Sequence, residues 1–312
     1  MTPVIADQLA YVALASSDPS ATCAVLEGHF RLSRAEFDSP EGSIPLFALG
    51  RSALAVFPLG HPMLAGSDKP GVNHIALGVA DVDAAATKAA AAGIRATGAA
   101  SGGLGGRKAL RLDPSATVGV RVHLTERLGL SPSPDGPIKR IDHLGVASAS
   151  VLEDEQVFAI KLGFAVESRQ TDMEVSVAVE SFTSDKYGVV YHTRPPQIVA
   201  GLRDLFVTIG DCELEFLANF DPRQEGVVDH GQSGTTRQDQ GAIARYVASR
   251  GRGLHHVGVN ARDIDALLAS MSAAGMPVID HKGRPGGRRS LIGFIHPKGT
   301  GGILMHAVQR PD

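Results

Sequence analysis

The stretch "LHHVGVNARDIDALLASMSAAG" at residues 254–275 is a gapless echo of "VNHIALGVADVDAAATKAAAAG" at residues 72–93, with His256 on His74, Asp263 on Asp81, Asp265 on Asp83 and Gly275 on Gly93. A chain that repeats itself on this scale is built from copies of one supersecondary unit, which restricts its folds more than composition does. Each copy opens with alternating apolar residues, the period-two pattern of a strand. A helix follows: Asp81 or Asp263 stands where an N-cap belongs, the body is rich in Ala and Leu, and Gly93 or Gly275 closes it. Downstream, "LRLDPSATVGVRVHL" and "IGFIHPKGTGGILMHAV" each put a Pro in a turn between two strands, and Pro114 precedes His123 by nine residues as Pro297 precedes His306 by nine.

Two further units begin at "LAYVALASSDPSATCAVLEG" and "IDHLGVASASVLEDEQVFAIKLGF". The pattern is α+β, with four βαβββ units pairing into two domains. The first covers residues 1–128, the Pro/Gly/Ser stretch "GLSPSPDGP" (129–137) is the linker, and the second covers 138–312. A hydrophobic content of 43% over 312 residues fills two cores.

Composition narrows the partners. Thirty basic and 33 acidic residues, a net charge of −3, no like-charge block and no Trp argue against nucleic acid and anionic membranes, leaving a small molecule as the expected ligand. The N-terminal residues lack a basic region followed by an apolar run, and no segment has the length to cross a bilayer. Two cysteines, Cys23 and Cys212, lie far apart without a CxxC spacing. That suits a reducing compartment, so the expected location is cytoplasmic, with self-association left open.

Chemistry enters through polar residues on strands that otherwise read apolar. His143 ("IDHLGV") and His256 ("LHHVGV") occupy first strands of their units, while Glu215 ("CELEFLANF") and His306 ("GILMHAV") occupy last strands. Buried without partners, each would cost several kcal/mol, on the order of 2–7. A shared divalent cation would satisfy all four, and imidazole with carboxylate suits Fe, Mn, Co, Ni or Zn better than Ca or Mg. Alternation puts His255 on the opposite face from His256 and leaves Glu213 and Glu215 on one face, without choosing between them. The equivalents in the first half are Tyr11, Ala55, His74 and His123, so that half carries a decayed site and the second carries the chemistry. The third unit is longer than the first, with 72 residues from His143 to Glu215 against 44 from Tyr11 to Ala55. The excess, around "VESFTSDKYGVVYHTRPPQIVAGLRD", is either a lid or wall of the site or a plain hairpin.

Tandem units with ligands on first and last strands resemble the vicinal oxygen chelate superfamily, which includes glyoxalase, methylmalonyl-CoA epimerase, extradiol and 4-hydroxyphenylpyruvate dioxygenases and drug-resistance proteins. Locally, "IDHLGVAS", "GDCELEFLANF" and residues 242–305 are most similar to methylmalonyl-CoA epimerase. The resemblance implies that each domain is a half-open mixed β-barrel with helices outside. It also implies a metal held by His143, Glu215, His256 and His306 that chelates two adjacent oxygens of the substrate. His306 departs from the family's usual Glu. The epimerase's acidic base falls on "DMEVSVAVESF", at Val177 or Val179, with Glu174 and Glu180 nearby.

Three functions follow from the resemblance. The first is enolate-forming proton transfer (isomerase, epimerase or lyase), with His306, Glu174 or Glu180 as base. The second is an Fe(II) dioxygenase using His143, His256 and Glu215, and the third is a drug-binding resistance protein without catalysis. Arg284, Arg288 and Arg289 in "GRPGGRRS" could hold an anionic tail, although "SGGLGGRKA" at the matching place favours a structural loop. His296 and Pro297, matched by Asp113 and Pro114, read as a structural turn.

Overall fold

The four units fold as strand, helix and further strands, in a computed structural model that describes residues 4–131, 136–177, 179–186, 188–193, 195–220 and 241–311. The first comprises β1 (Gln8–Ser16), α1 (Pro19–Gly28), β2 (Arg34–Ser39), β3 (Gly42–Leu49) and β4 (Ser52–Pro58), and the second β5 (Gly71–Val79), α2 (Val82–Ala91), β6 (Ser101–Gly102), β7 (Lys108–Arg111) and β8 (Val122–Glu126). The third comprises β9 (Ile138–Ala147), α3 (Val151–Glu155) prolonged by a π-helical turn, β10 (Ala165–Ser176), β11 (Val179–Ser184), β12 (Gly188–Thr193), β13 (Gln197–Ile209) and β14 (Cys212–Phe220). Helix α4 (Ala242–Arg250) intervenes before the fourth unit, which comprises β15 (Gly253–Ala261), α5 (Ile264–Ala273), β16 (Arg284–Pro285), β17 (Leu291–Ile295) and β18 (Met305–Gln309).

The helices start where the Asp residues stand. Asp81 accepts from the amides of Asp83 and Ala84 at 2.9 and 3.0 Å, and Asp263 accepts from that of Ala266 at 2.9 Å, each satisfying an end that has no intrahelical partner. Gly93 and Gly275 end α2 and α5 with φ of 82° and 76°, a region costly for other residues.

Each half forms one eight-stranded mixed sheet, in the orders β2-β3-β4-β1-β5-β8-β7-β6 and β10-β13-β14-β9-β15-β18-β17-β16. The two orders superimpose strand for strand. At the centre of each, the first strands of two units pair antiparallel, and each also pairs parallel with the last strand of its own unit. One continuous apolar core takes Val12, Leu14 and Ile75 from the first sheet and Leu144, Val146 and Val257 from the second. Alternation then turns Tyr11, Ala13 and Ala76, or His143, Gly145 and Gly258, to the other face. No helix among the described residues is long and apolar enough to cross a membrane.

The third-unit insertion forms the β11–β12 hairpin and lengthens β10 and β13. Val177, Val179 and Tyr191 are exposed there, while Gln170 and Asp172 at the base of β10 line a cavity described below.

Asp154 is fully buried on α3, accepting hydrogen bonds from Ser148 Oγ and from Arg252 Nη2 at 2.8 Å. Burial raises its carboxyl to about 6 against the opposing pull of Ser148 and Arg252. The folded protein therefore binds a proton that the unfolded chain has released between about pH 4 and pH 6. Stability should fall by about 3 kcal/mol as pH rises through this window and level off above it. Urea unfolding at pH 4.5 and 6.5 checks this, and Asp154→Asn should abolish this component.

Candidate metal centre

The register of four neighbouring strands builds the site as a checkerboard. Gly145 on β9 lies between Glu215 on β14 and His256 on β15, while Gly258 on β15 lies between His143 on β9 and His306 on β18. A Cβ at Gly145 would fall 2.0 Å from His256 Cε1, and one at Gly258 would fall 2.7 Å from both His143 Cε1 and His306 Nε2. The glycines two residues after His143 and His256 thus open the space into which the rings turn.

The four side chains converge through named atoms. His143 Nε2 lies 3.4 Å from His256 Nε2, 3.0 Å from His306 Nε2 and 3.2 Å from Glu215 Oε2, and His256 Nε2 lies 3.5 Å from Glu215 Oε2. The three histidines, all buried, form a group whose ligand atoms lie within 4.8 Å of one another. Metal–nitrogen bonds of about 2.0–2.1 Å imply ligand separations of about 3.0 Å (octahedral) to 3.4 Å (tetrahedral), and the four separations above lie close to these, so the group could hold one divalent ion.

The hydrogen bonds behind the rings differ. His143 Nδ1 lies 2.9 Å from Asp142 Oδ1, and Asp142 accepts in turn from Arg310 Nε at 3.1 Å, Arg310 Nη2 at 2.5 Å and Asn260 Nδ2 at 3.1 Å. Burial alone would raise Asp142, but His143 and Arg310 outweigh it and hold its carboxyl well below the usual carboxylate range. Burial likewise would lower His143, yet Glu215 and Asp142 raise it to about 9. Glu215 is held well below its ordinary value, its burial overcome by His143 and His256. Burial lowers His256, and burial together with His256 and His143 lowers His306 further, so both rings are neutral with a lone pair to give.

These groups form the wall of a cavity of about 450 Å³ with an otherwise largely apolar lining, including Phe206, Leu217 and Phe294. Asp204 on β13 also lines it. The residue is buried, and its Oδ1 has no hydrogen-bond partner. Burial first, then Glu215 and Asp172, raise its carboxyl well above the ordinary value. Phe206, two residues on, pairs with Glu215 across the sheet, which makes Asp204 and Glu215 diagonal neighbours on one face, typically about 7–8 Å apart.

Glu213 pairs instead with Arg288 Nη2 at 2.6 Å; Arg288 also binds Glu167 at 2.7 Å and lies 3.8 Å over the Phe206 ring. Arg284 pairs with Asp280 at 3.1 Å and, with Arg288, lines the cavity, whereas Arg289 is exposed. His296 caps its own turn by accepting from the Lys298 amide at 3.1 Å, as Asp113 does from that of Ser115 at 2.9 Å. Glu174 and Glu180 pair through their backbones with Ala200 and His192, and their side chains lie outside the described residues.

Two expectations change. Val177 and Val179, where the resemblance puts an acidic base, are each 62% exposed, and the carboxyls that line the cavity besides Glu215 are Asp172 on β10 and Asp204 on the following long strand. The signal of Asp204 was available: a charged residue inside the apolar strand "GLRDLFVTIG". His255 does not face away from the site either. A bulge between Leu254 and His256 turns it back, and its Nδ1 lies 2.9 Å from His256 Nδ1.

In the first half the same register puts Ala13 and Ala76 at the glycine positions and Ala55 at that of Glu215. Their methyls pack with Tyr11, Leu46 and Phe57 into an apolar cluster, and His74 and His123 stack at 3.9 Å within the sheet. Burial lowers both imidazoles, His123 to about 3.

Among solved structures, a triple mutant of 4-hydroxymandelate synthase from Streptomyces coelicolor is 14% identical and superposes over 98% of this chain and 93% of its own with a TM-score of 0.64, a likeness of fold through both halves. A methylmalonyl-CoA epimerase variant from Streptomyces coelicolor (23% identity, 55% of this chain, 94% of its own, TM-score 0.36) and the epimerase of Mycobacterium tuberculosis (19%, 56%, 91%, 0.38) also match. No curated protein matches the chain. Residues 142–294 match the Glyoxalase/Bleomycin resistance protein/Dioxygenase superfamily, and the matched stretch encloses three of the four converging residues.

Proposed function

We propose that the second half is a metal-dependent enzyme that moves a proton on a carbon beside two neighbouring substrate oxygens, as an isomerase, epimerase or lyase. The carrying observation is the convergence of three imidazole nitrogens and Glu215 Oε2, with His143 Nε2 3.0–3.4 Å from the other three and His256 Nε2 3.5 Å from Glu215 Oε2, beside the unpartnered Oδ1 of Asp204. His143, His256, His306 and Glu215 would hold the ion; Fe, Mn, Co, Ni and Zn all suit this donor set. When bound, the ion supplies Lewis acidity toward the two oxygens and makes the intervening C–H acidic.

The chain's own groups do the rest. Asp204, on a strand rather than a loop, carries the proton between carbon and solvent, its carboxyl raised above the ordinary value by burial and by Glu215. Phe206, Leu217 and Phe294 exclude water and so strengthen every charge interaction in the cavity. His306 faces the same space and is the second candidate for the proton. Glu174 and Glu180 stay as alternatives on the insertion. The first half, its centre filled by alanines, serves as a scaffold, with 129–137 as the linker.

Deuterium entry into α-branched β-dicarbonyl compounds or thioesters, followed by NMR under anaerobic conditions with the Co(II)-loaded protein, tests this. Exchange that requires the metal supports it. Oxygen consumption by the Fe(II) form without exchange would favour the dioxygenase alternative, for which His143, His256 and Glu215 supply a two-histidine, one-carboxylate set. A resistance protein that merely encloses a drug would bind its ligand equally well with or without metal.

A further inference from the structure

Each of the four strands at the sheet centres carries a β-bulge, always one residue before the site position. The extra residues are Ala10 before Tyr11, Asn73 before His74, Asp142 before His143 and His255 before His256. In a regular strand, neighbours face opposite sides, so residue and predecessor could not meet on one face. A bulge cancels one step of that alternation and re-aims the side chain. Wherever the site residue is a histidine, its predecessor meets Nδ1: Asn73 Oδ1 at 2.8 Å, Asp142 Oδ1 at 2.9 Å and His255 Nδ1 at 2.9 Å.

We propose that His255 is a positioning residue, placed by its bulge to accept the Nδ1 proton of His256 and so leave the Nε2 lone pair aimed into the site. The proposal rests on the metal reading above. Two Nδ1 atoms 2.9 Å apart need one proton between them. If Nε2 of His256 is to donate to a metal, that proton belongs to His256, and His255 accepts it as the Nε2–H tautomer. Tyr246 on α4 fixes the acceptor: its ring stands edge-on to His255 at 4.6 Å, and its hydroxyl donates to the Leu254 carbonyl at 2.8 Å. The three imidazoles are therefore held unequally, His143 by an anchored carboxylate, His256 by a neutral ring and His306 by nothing, since its buried Nδ1 has no partner.

The chain's own repeat supplies the rescue substitution, because Asn73 makes the same contact from the same bulge. Titration of the full-length protein with Co(II) should give one ion per chain. His255→Leu should keep that stoichiometry and weaken affinity about 10–100-fold, as loss of a ligand's supporting hydrogen bond does. His255→Asn should restore most of it. In the Zn(II)-loaded protein the His256 Nδ1 proton should appear in NMR spectra of the unaltered chain and of His255→Asn, and vanish in His255→Leu. A merely structural role would lower the melting temperature of both variants without this pattern. Undiminished Co(II) affinity in His255→Leu, or His255→Asn binding as weakly as His255→Leu, would overturn the inference while leaving the metal reading intact. Failure of the unaltered protein to bind Co(II) would overturn that reading and this one with it.

Discussion

Asp204→Asn should lower metal-dependent solvent exchange of substrate by about 10²- to 10⁴-fold, the usual contribution of a positioned acid or base, while leaving Co(II) affinity unchanged. Asn matches the carboxyl in shape but cannot carry the proton. The separation of effects is what identifies the role, because Asp204 lies in the cavity yet outside the converging set. Its environment explains the choice of residue. Buried on β13, with Glu215 and Asp172 nearby, it resists ionisation until a cation balances the site. Exchange at the unaltered rate in Asp204→Asn would return the proton to His306 or to Glu174 and Glu180, which the matching variants at those positions would reveal.

Gly145→Ala should cost more than the about 10–100-fold loss of metal affinity expected from a supporting residue, because it expels a ligand. The new methyl would lie 2.0 Å from Cε1, 2.3 Å from Nδ1 and 2.5 Å from Nε2 of His256, so the ring has to leave. The backbone itself raises no objection, since Gly145 is not among the residues with positive φ and Ala is admissible in a strand there. Melting should therefore change little while calorimetric Co(II) binding collapses. The first half already carries this substitution twice, as Ala13 and Ala76, and its centre is filled. Wild-type affinity in Gly145→Ala would show that His256 does not contribute a ligand.

Much of this was legible in the linear chain. The repeat of His74 in His256, the capping Asp residues and the helix-closing glycines are local signals, so the unit order and the strand positions of His143, Glu215, His256 and His306 follow from them. Asp204 stands in the sequence as a charge in an apolar strand, but only the sheet register carries it into the cavity. The resemblance puts the epimerase's base at Val177 or Val179, which are exposed.

The amino-acid sequence by itself determined the repeated unit, the two sheets and the strands that bear the polar residues, because strand alternation and helix capping depend on neighbours a few residues away. Alternation left Glu213 and Glu215 equivalent and only the resemblance preferred Glu215; the tertiary structure brings Glu215 to the histidines, turns His255 back toward His256, and leaves one sheet centre hollow and the other packed. Those outcomes depend on register and bulges between strands remote in the chain. A shift of one residue there reverses which side chain faces the site.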